Sequence, residues 1–318
     1  MRKTTIFYLA LILAVSVFAS GYADELTYTN YSLDELFTIR NELSQEIFSR
    51  ISALNSGEPI TENEASDFLY ATSNGEAHIR LYMGSSTDVV IPEIIDECKV
   101  TTIGEKSFYE NININSVNIP STIQFIGEDA FSGCENLTKV SFSNQSMEVL
   151  TIMNDAFYQC DISVPLIISA EKIIINPNAF ALNYGLPEIV LLSKDIVFRD
   201  SPFSYCKAVK YIYMYPDADI TFDGYFMNST DGDVFENLVN LEAIYLPDDC
   251  PFLNGNTFKG SPRVIVYSRE NSKVEQLAKE YWIPVNTENY DSMAFEVLKK
   301  VAEAGFNVRG CLNNHNYT

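Results

Sequence analysis

Residues Ile103-Gly104-Glu105-Lys106-Ser107-Phe108 return 23 positions later as Ile126-Gly127-Glu128-Asp129-Ala130-Phe131, and this repetition decides the fold. A phenylalanine keeps recurring at the same place in each unit. We call these residues the phase phenylalanines: Phe108, Phe131, Phe157, Phe180, Phe203, Phe235 and Phe258. The steps between them are 23, 26, 23, 23, 32 and 23 residues. Steps that cluster on one value predict a stack of repeated units, each packing on its neighbours.

Each unit has the same apolar pattern after its phase phenylalanine. Positions nine and eleven are apolar in the first six units: Val117 and Ile119, Val140 and Phe142, Leu166 and Ile168, Ile189 and Leu191, Ile212 and Met214, and Ile244 and Leu246. Apolar residues two apart predict a short strand with one buried face. A second strand, as at 149–152 or 196–198, precedes the next phase phenylalanine. One unit cannot bury its own apolar face, so we predict a mainly-β solenoid of parallel strands over residues 74–286, in about seven repeats.

These units resemble the BspA-type leucine-rich repeat family of bacterial surface and secreted proteins. The family unit has the form V-x-I-P … I-G-x-x-A-F-x-x-C-x-x-L, matched best by Val117-Asn118-Ile119-Pro120, Ile126-Gly127, Ala130-Phe131, Cys134 and Leu137. Residues 74–92 are similar to the usual opening of such arrays, and residues 272–285 to their closing helix and strand. Pro202 and the overlong unit before Phe235 depart from the pattern. The resemblance implies a leucine-rich repeat fold and an extracellular binding or adhesion protein without enzymatic activity.

The segments outside the array predict export and flanking helices. Residues 1–23 read as a signal peptide, because Arg2 and Lys3 precede the apolar run 6–19 and small residues follow it. An uncleaved N-terminal anchor is the alternative. Residues 24–73 form a predicted helical leader, whose second helix runs through about Tyr70 and which acts as a cap, a spacer or a dimerising pair. Residues 287–318 form a predicted C-terminal helix, 292–304, and tail. We expect a secreted or surface-associated protein.

Charge and composition exclude several classes of function. The chain has 43 acidic and 21 basic residues, a net charge of −22, which repels nucleic acid and anionic membranes. No second apolar run long enough for membrane insertion follows the signal. With two histidines, a site of several imidazoles is excluded, and a Cys311/His315 dyad lacks an orienting third group. We therefore predict no enzyme and no cofactor.

The cysteines and one acidic segment are candidates for bonding or metal binding. Cys134, Cys160 and Cys206 each lie three residues after a phase phenylalanine, so a shared role as small buried side chains is expected. Free thiols are favoured, although a Cys134–Cys160 disulfide is the alternative. The overlong unit contains weak calcium candidates, for which a solvated acidic insertion is the other interpretation: Asp217, Asp219, Asp231 and Asp233.

The strongest functional hypothesis concerns position ten of each unit, which is predicted to point away from the core. Along the array this position changes from polar to apolar and aromatic: Asn118, Ser141, Ile167, Val190, Tyr213 and Tyr245. With Tyr211 and Tyr215 beside them, these residues predict an exposed tyrosine face that binds a protein or a glycan. The alternatives are that the aromatic residues only stabilise the strands, that a terminal helix covers them, or that the face pairs with a second copy in a structural or self-assembling role. The candidate binding residues are Tyr211, Tyr213, Tyr215, Tyr245, Val190 and Ile167.

Overall fold

The structure is a computed structural model that describes residues 67–215, 217–222, 234–250, 256–288, 290–306 and 308. The compact unit that holds the solenoid begins at Asp67. The predicted signal peptide and residues 24–66 of the predicted leader lie outside the described residues.

Seventeen strands and two helices make up the described part of the chain. The strands are β1 Phe68–Ser73, β2 Glu76–Tyr82, β3 Asp88–Val90, β4 Ile94–Ile95, β5 Cys98–Ile103, β6 Ser116–Ile119, β7 Phe125–Ile126, β8 Lys139–Phe142, β9 Met147–Ile152, β10 Leu166–Ile175, β11 Glu188–Leu192, β12 Asp195–Phe198, β13 Tyr211–Met214, β14 Asp219–Phe222, β15 Ala243–Tyr245, β16 Ile265–Tyr267 and β17 Val285–Asn286. The helices are α1 Lys273–Glu280 and α2 Tyr290–Glu303.

The strands form two parallel ladders along the solenoid. The first ladder contains β3 and the strands that follow the phase phenylalanines, in the orders β3-β6-β8 and β10-β11-β13-β15-β16-β17. The second ladder contains the strands that precede them, in the order β2-β5-β7-β9-β10-β12-β14. Strand β10 belongs to both, because its first half pairs with β11 and its second half with β12. The predicted mainly-β repeat solenoid is confirmed.

The register of the first ladder follows the sequence period. Ile189 lies opposite Ile212, which lies opposite Ile244. The residues at positions nine and eleven are buried in all six units for which the sequence predicted it, from Val117 and Ile119 to Ile244 and Leu246. Equivalent positions thus stack on one another, and a single apolar column runs through the core.

The phase phenylalanines form a stacked aromatic column. Ring centroids are 4.5 Å apart for Phe108 and Phe131, 4.9 Å for Phe131 and Phe157, 5.0 Å for Phe157 and Phe180, and 5.6 Å for Phe180 and Phe203. At the overlong unit Phe198 packs edge-on against both Phe203 and Phe235. The column therefore stays continuous across the insertion, although Phe258 at its end is only half-buried.

The corner around each phase phenylalanine is built from left-handed residues. The residue two positions after it has positive φ in every unit: Glu110, Gly133, Gln159, Leu182, Tyr205, Asn237 and Gly260. Glycine adopts this conformation without steric penalty, whereas a bulky side chain does not. The corner geometry is thus imposed by the stack, and it is imposed on Leu182 and Tyr205 as well.

The N-terminal end differs from the prediction. The leader helix expected through Tyr70 does not reach that residue, because Phe68–Ser73 is a strand that pairs antiparallel with β2. Asn74 and Gly75, with φ of 55° and 79°, form the two-residue turn between them. Asn-Gly is the preferred pair for such a hairpin turn, so the local signal was present.

The C-terminal end closes as the resemblance implied. Ser272 caps α1, accepting a hydrogen bond from the Glu275 backbone N–H, and β17 then adds to β16. Trp282 follows the helix with φ of 60°, and the Ile283 N–H returns to the Ala278 carbonyl oxygen at 2.8 Å. This is a Schellman ending in which a tryptophan occupies the position usually held by glycine.

Candidate functional site

Helix α2 crosses the outer side of the first ladder. Its buried side chains are Tyr290, Ala294, Leu298 and Val301. Fourteen residues give a helix about 21 Å long, which matches about four strand spacings of ~4.8 Å. That length carries α2 from β15 back across β13, β11 and β10 towards the end of β8.

Both ends of α2 are held by specific contacts. At its start the Tyr290 ring lies 6.2 Å from that of Tyr245, with the Arg269 guanidinium 5.9 Å from the Tyr290 centroid. Arg269 is held in turn by Asp248, at 3.0 Å. Beyond its end, Gly305 lies against Asn144, whose Nδ2 is 3.1 Å from where a Cβ would stand. The helix is thus anchored against both ends of the surface it crosses.

This arrangement corrects the predicted exposure of the tyrosine face. Tyr213 and Tyr245 are each 1% exposed, and Val190 and Tyr215 are also buried. The coverage by a terminal helix that the sequence left open is what the structure shows. The physical reason is that an aromatic and apolar column on the outer side of a sheet buries a large area under an amphipathic helix.

A cleft of about 360 Å³ remains along one side of α2. Its lining residues come from the strands and from the helix: Pro165, Ile167, Glu188, Ile189, Val190, Tyr211, Tyr213, Tyr245, Glu296, Val297, Lys300, Val301 and Ala304. The structure therefore brings together five of the six candidate residues, and Tyr215 is not among the lining residues. Reasoning from the units missed the helix side of the cleft, because α2 lies outside the repeats. The stripe of apolar residues on α2 was the one signal that could have indicated it.

The rim of the cleft carries more acid than base. Glu188 and Glu296 line it, Lys300 is its one lining cation, and Glu242 lies beside it. The Tyr211 hydroxyl donates to Glu242 Oε2 at 3.3 Å. Burial and the Glu242 carboxylate raise the pKa of Tyr211. Burial also raises the pKa of Tyr245 above its usual range.

The lining of the cleft combines an apolar floor with a few polar groups. Its polar groups are carboxylates, one ammonium and phenols, and the described lining includes neither histidine nor cysteine. Among the described residues as a whole, no group of three or more metal-ligating side chains converges. An apolar floor with a few polar groups on its rim is the usual construction of a binding cleft.

The other candidates lie apart from this cleft. His78 is half-buried within β2. Asp217 and Asp219 are exposed, whereas Asp231, Asp233, Cys311 and His315 lie outside the described residues. Over the described ranges, no helix is long and apolar enough to cross a membrane.

The cysteine column has the buried role that was predicted. Cys134, Cys160 and Cys206 are buried, and all three are free thiols. Their thiols lie 3.1, 3.2 and 3.0 Å from the carbonyl oxygens of Phe108, Phe131 and Phe180. Each thiol thus bonds to the preceding unit.

Comparison with known proteins identifies the repeat. Residues 101–231 match the BspA type leucine rich repeat region in six copies. A T. pallidum leucine-rich repeat protein is 18% identical, over 71% of this chain and 98% of that chain, with a TM-score of 0.46. A leucine-rich repeat protein from Bacteroides capillosus is 24% identical, over 52% and 100%, with a TM-score of 0.32. A leucine rich cell surface protein from Faecalibacterium prausnitzii is 14% identical, over 74% and 96%, with a TM-score of 0.29. No curated protein matches the chain.

Proposed function

Because residues 101–231 belong to the BspA-type leucine-rich repeat family, we propose that this chain is a non-enzymatic binding protein of the cell surface or extracellular space. We place its ligand, a segment of a partner protein, in the cleft beside α2. The observation that carries the proposal is the convergence in one cleft of five residues that the repeat pattern singled out independently.

The shape and lining of the cleft favour a peptide segment as the ligand. The floor, which includes Ile167, Val190 and Tyr213, is apolar and follows the side of a helix. Extended or helical segments fill such grooves with apolar side chains spaced along one face. Tyr211, the half-buried tyrosine of the lining, adds contact area with little rotamer entropy to lose.

Charge defines the ligand further. Glu188, Glu242 and Glu296 outnumber Lys300 at the rim, and the whole chain carries a net charge of −22. A segment with basic residues flanking apolar ones complements both the rim and the overall field. Such a field also speeds the encounter of a basic partner at low ionic strength.

The proposed location rests on the sequence. The pair Arg2 and Lys3, the apolar run 6–19 and the small residues after it are those of an export signal. The family resemblance supports the same location outside the cell. Export would bring the cleft into contact with secreted or surface proteins.

A matched pair of tryptophan variants tests the cleft. Ala304→Trp fills it, since Ala304 lines the cleft, whereas Ala302→Trp adds the same ring to an exposed position of α2 that is not part of the lining. Each variant and the parent are used to capture proteins from cell-surface and secreted extracts, with the melting temperature as a fold control.

The expected result is a partner captured by the parent and by Ala302→Trp but lost with Ala304→Trp. The identified partner segment, made as a synthetic peptide, should bind the parent and bind more weakly as salt is raised. Capture of the same partner by all three proteins contradicts the assignment of the cleft. Capture of none, with concentration-dependent light scattering of the parent, favours self-assembly instead.

A further inference from the structure

A second cleft, of about 340 Å³, lies at the corner of the solenoid near the phase phenylalanines. We call it the corner cleft; its lining residues are Tyr158, Asn178, Ala181, Leu182, Asp200, Ser201, Ser204, Tyr205 and Glu236. None of these residues lines the cleft beside α2. It is thus a separate site, and its test is independent of the proposed function.

The corner cleft exists because of one column in the repeat. The residue directly after the phase phenylalanine is large at Tyr158 and Glu236 but small at Ala181 and Ser204, the two units between them. Since equivalent positions stack, two small residues between two large ones leave a depression with walls. The size and the position of the corner cleft are therefore determined by these four residues, which occupy the same position in successive units.

Two further side chains shape the cleft from strained positions. Leu182 and Tyr205 both have φ of 61°, at the position where two other units have Gly133 and Gly260. The stack imposes this conformation at the corner of every unit, and here it places the side chains of Leu182 and Tyr205 at the cleft. Tyr205 is 46% exposed, so its ring is available to a ligand.

The lining combines aromatic faces with neutral and acidic hydrogen-bonding groups. Tyr158 and Tyr205 offer rings, Asn178 offers an amide, and Asp200 and Glu236 offer carboxylates. The Ser204 hydroxyl donates to Glu236 Oε1 at 3.3 Å, a hydrogen bond between two residues of the lining.

We propose that the corner cleft binds a neutral saccharide. The apolar C–H face of a sugar ring packs on an aromatic side chain, while its hydroxyls donate to carboxylates and exchange hydrogen bonds with amide and hydroxyl groups. The cleft is at the small end of the ~300–1,000 Å³ range of ligand pockets, so it takes a short saccharide or the end of a glycan chain.

The charge of the lining sets the saccharide class. Asp200 and Glu236 face the cleft, and no arginine, lysine or histidine is among its described lining residues. Acidic sugars such as sialic acid or uronic acids are therefore repelled. An amine ligand uses only the carboxylates and leaves Asn178 and Ser201 without a role, whereas a sugar uses all of them.

The test uses two variants, each of which introduces a residue that another unit has at the equivalent position. Tyr205→Gly removes the ring and places glycine where Gly133 and Gly260 stand in other units, so the fold is retained. Ala181→Tyr fills the cleft with the residue that Tyr158 represents in the unit before. Tyr184→Ala is the matched control, because Tyr184 is exposed nearby but does not line the cleft.

The full protein is screened on an array of neutral oligosaccharides of glucose, galactose, mannose and N-acetylglucosamine. Sialylated glycans and spermine are tested in parallel as the competing ligand classes. Titration calorimetry then measures the best hit. We expect saturable binding of a neutral glycan, about tenfold or more weaker in both cleft variants and unchanged in Tyr184→Ala. Binding only of spermine or sialylated glycans, no neutral glycan bound at millimolar concentration, or equal binding by parent and cleft variants would each overturn the proposal.

Discussion

The side-chain amide of Asn183 donates a hydrogen bond to the carbonyl oxygen of Phe157, one unit back in the solenoid, at 2.7 Å. The same position performs this role in four other units, where the donors are the thiols of Cys134, Cys160 and Cys206 and the hydroxyl of Ser261. A side chain three residues after the phase phenylalanine therefore ties its unit to the previous one. Asn183 also donates to Phe180 and accepts from the Ile162 N–H, so its polar atoms are satisfied although it is fully buried.

Replacing Asn183 should separate the loss of packing from the loss of these bonds. Asn183→Ala leaves buried backbone groups of Phe157 and Ile162 with fewer partners, and we expect the free energy of unfolding to fall by about 1–3 kcal/mol. Asn183→Cys keeps one donor, as in the neighbouring units, and should lose less. Urea denaturation measures both, and equal losses would show that the hydrogen bonds contribute little.

The three buried cysteines should react much more slowly with an alkylating agent in the native protein than in the denatured protein. Burial raises the pKa of Cys134 and of Cys206 to about 12, and raises that of Cys160 well above its usual value. At pH 8 a pKa of about 12 leaves roughly 1 thiol in 10,000 ionised, and the thiolate is the reactive form. We expect iodoacetamide to leave these three unmodified in the native protein and to modify them in denaturant, as read by peptide mass spectrometry. Their rapid native alkylation would contradict the buried column.

The same shift predicts a loss of stability in alkaline solution. Because the folded-state pKa of Cys206 lies above the unfolded value of about 9, its contribution to stability is complete below pH 9. It is lost as the pH rises from about 9 to about 12, since the unfolded chain releases the proton first. Denaturation of the parent and Cys206→Ser at pH 8 and at pH 10.5 tests this: the parent should lose more stability than the variant between the two values, and parallel losses would refute the assignment.

Replacing Trp282 with glycine should stabilise the folded protein. Trp282 is the single tryptophan, is 93% exposed and has φ of 60° after α1, so its ring contributes little packing while its backbone is strained. We expect Trp282→Gly to raise the free energy of unfolding by about 0.5–1 kcal/mol, because glycine adopts this conformation freely. Trp282→Ala keeps the strain and serves as the control. A gain of equal size in both variants would place the effect in the indole and not in the backbone.

The tyrosines of the outer face should differ in what they contribute to stability. Tyr213 is buried beneath α2, with its ring 5.8 Å from that of Tyr245, whereas Tyr211 is half-buried at the strand start. We expect Tyr213→Ala to lower the free energy of unfolding by about 3–5 kcal/mol, as for other large buried aromatic residues. Tyr211→Ala should lower it by less than about 1 kcal/mol. Similar small losses in chemical denaturation would show that α2 does not cover Tyr213 in solution.

The repeat pattern by itself determined the fold and its phase. Apolar positions such as Ile189 and Ile212 recur at fixed offsets from the phase phenylalanines, so the sequence of each such unit predicts the same buried face. Residues related by one period stack directly, and the ladders follow from that relation alone. The Asn74-Gly75 pair is a local signal for the turn found there, because a two-residue hairpin depends only on local backbone preference.

Only the tertiary structure decided how that framework is covered and where it is open. The tyrosine face is buried beside helix α2, which lies far along the chain from Tyr213 and contributes Tyr290 and Val301 to the same region. The corner cleft depends on the depth left between Tyr158 and Glu236 when four units stack. A period specifies which side of each strand is apolar, but burial requires a second surface. Which distant segment supplies that surface is settled by the contact area and anchoring contacts of the folded chain, here by Tyr290, Arg269 and Asp248 at the start of α2.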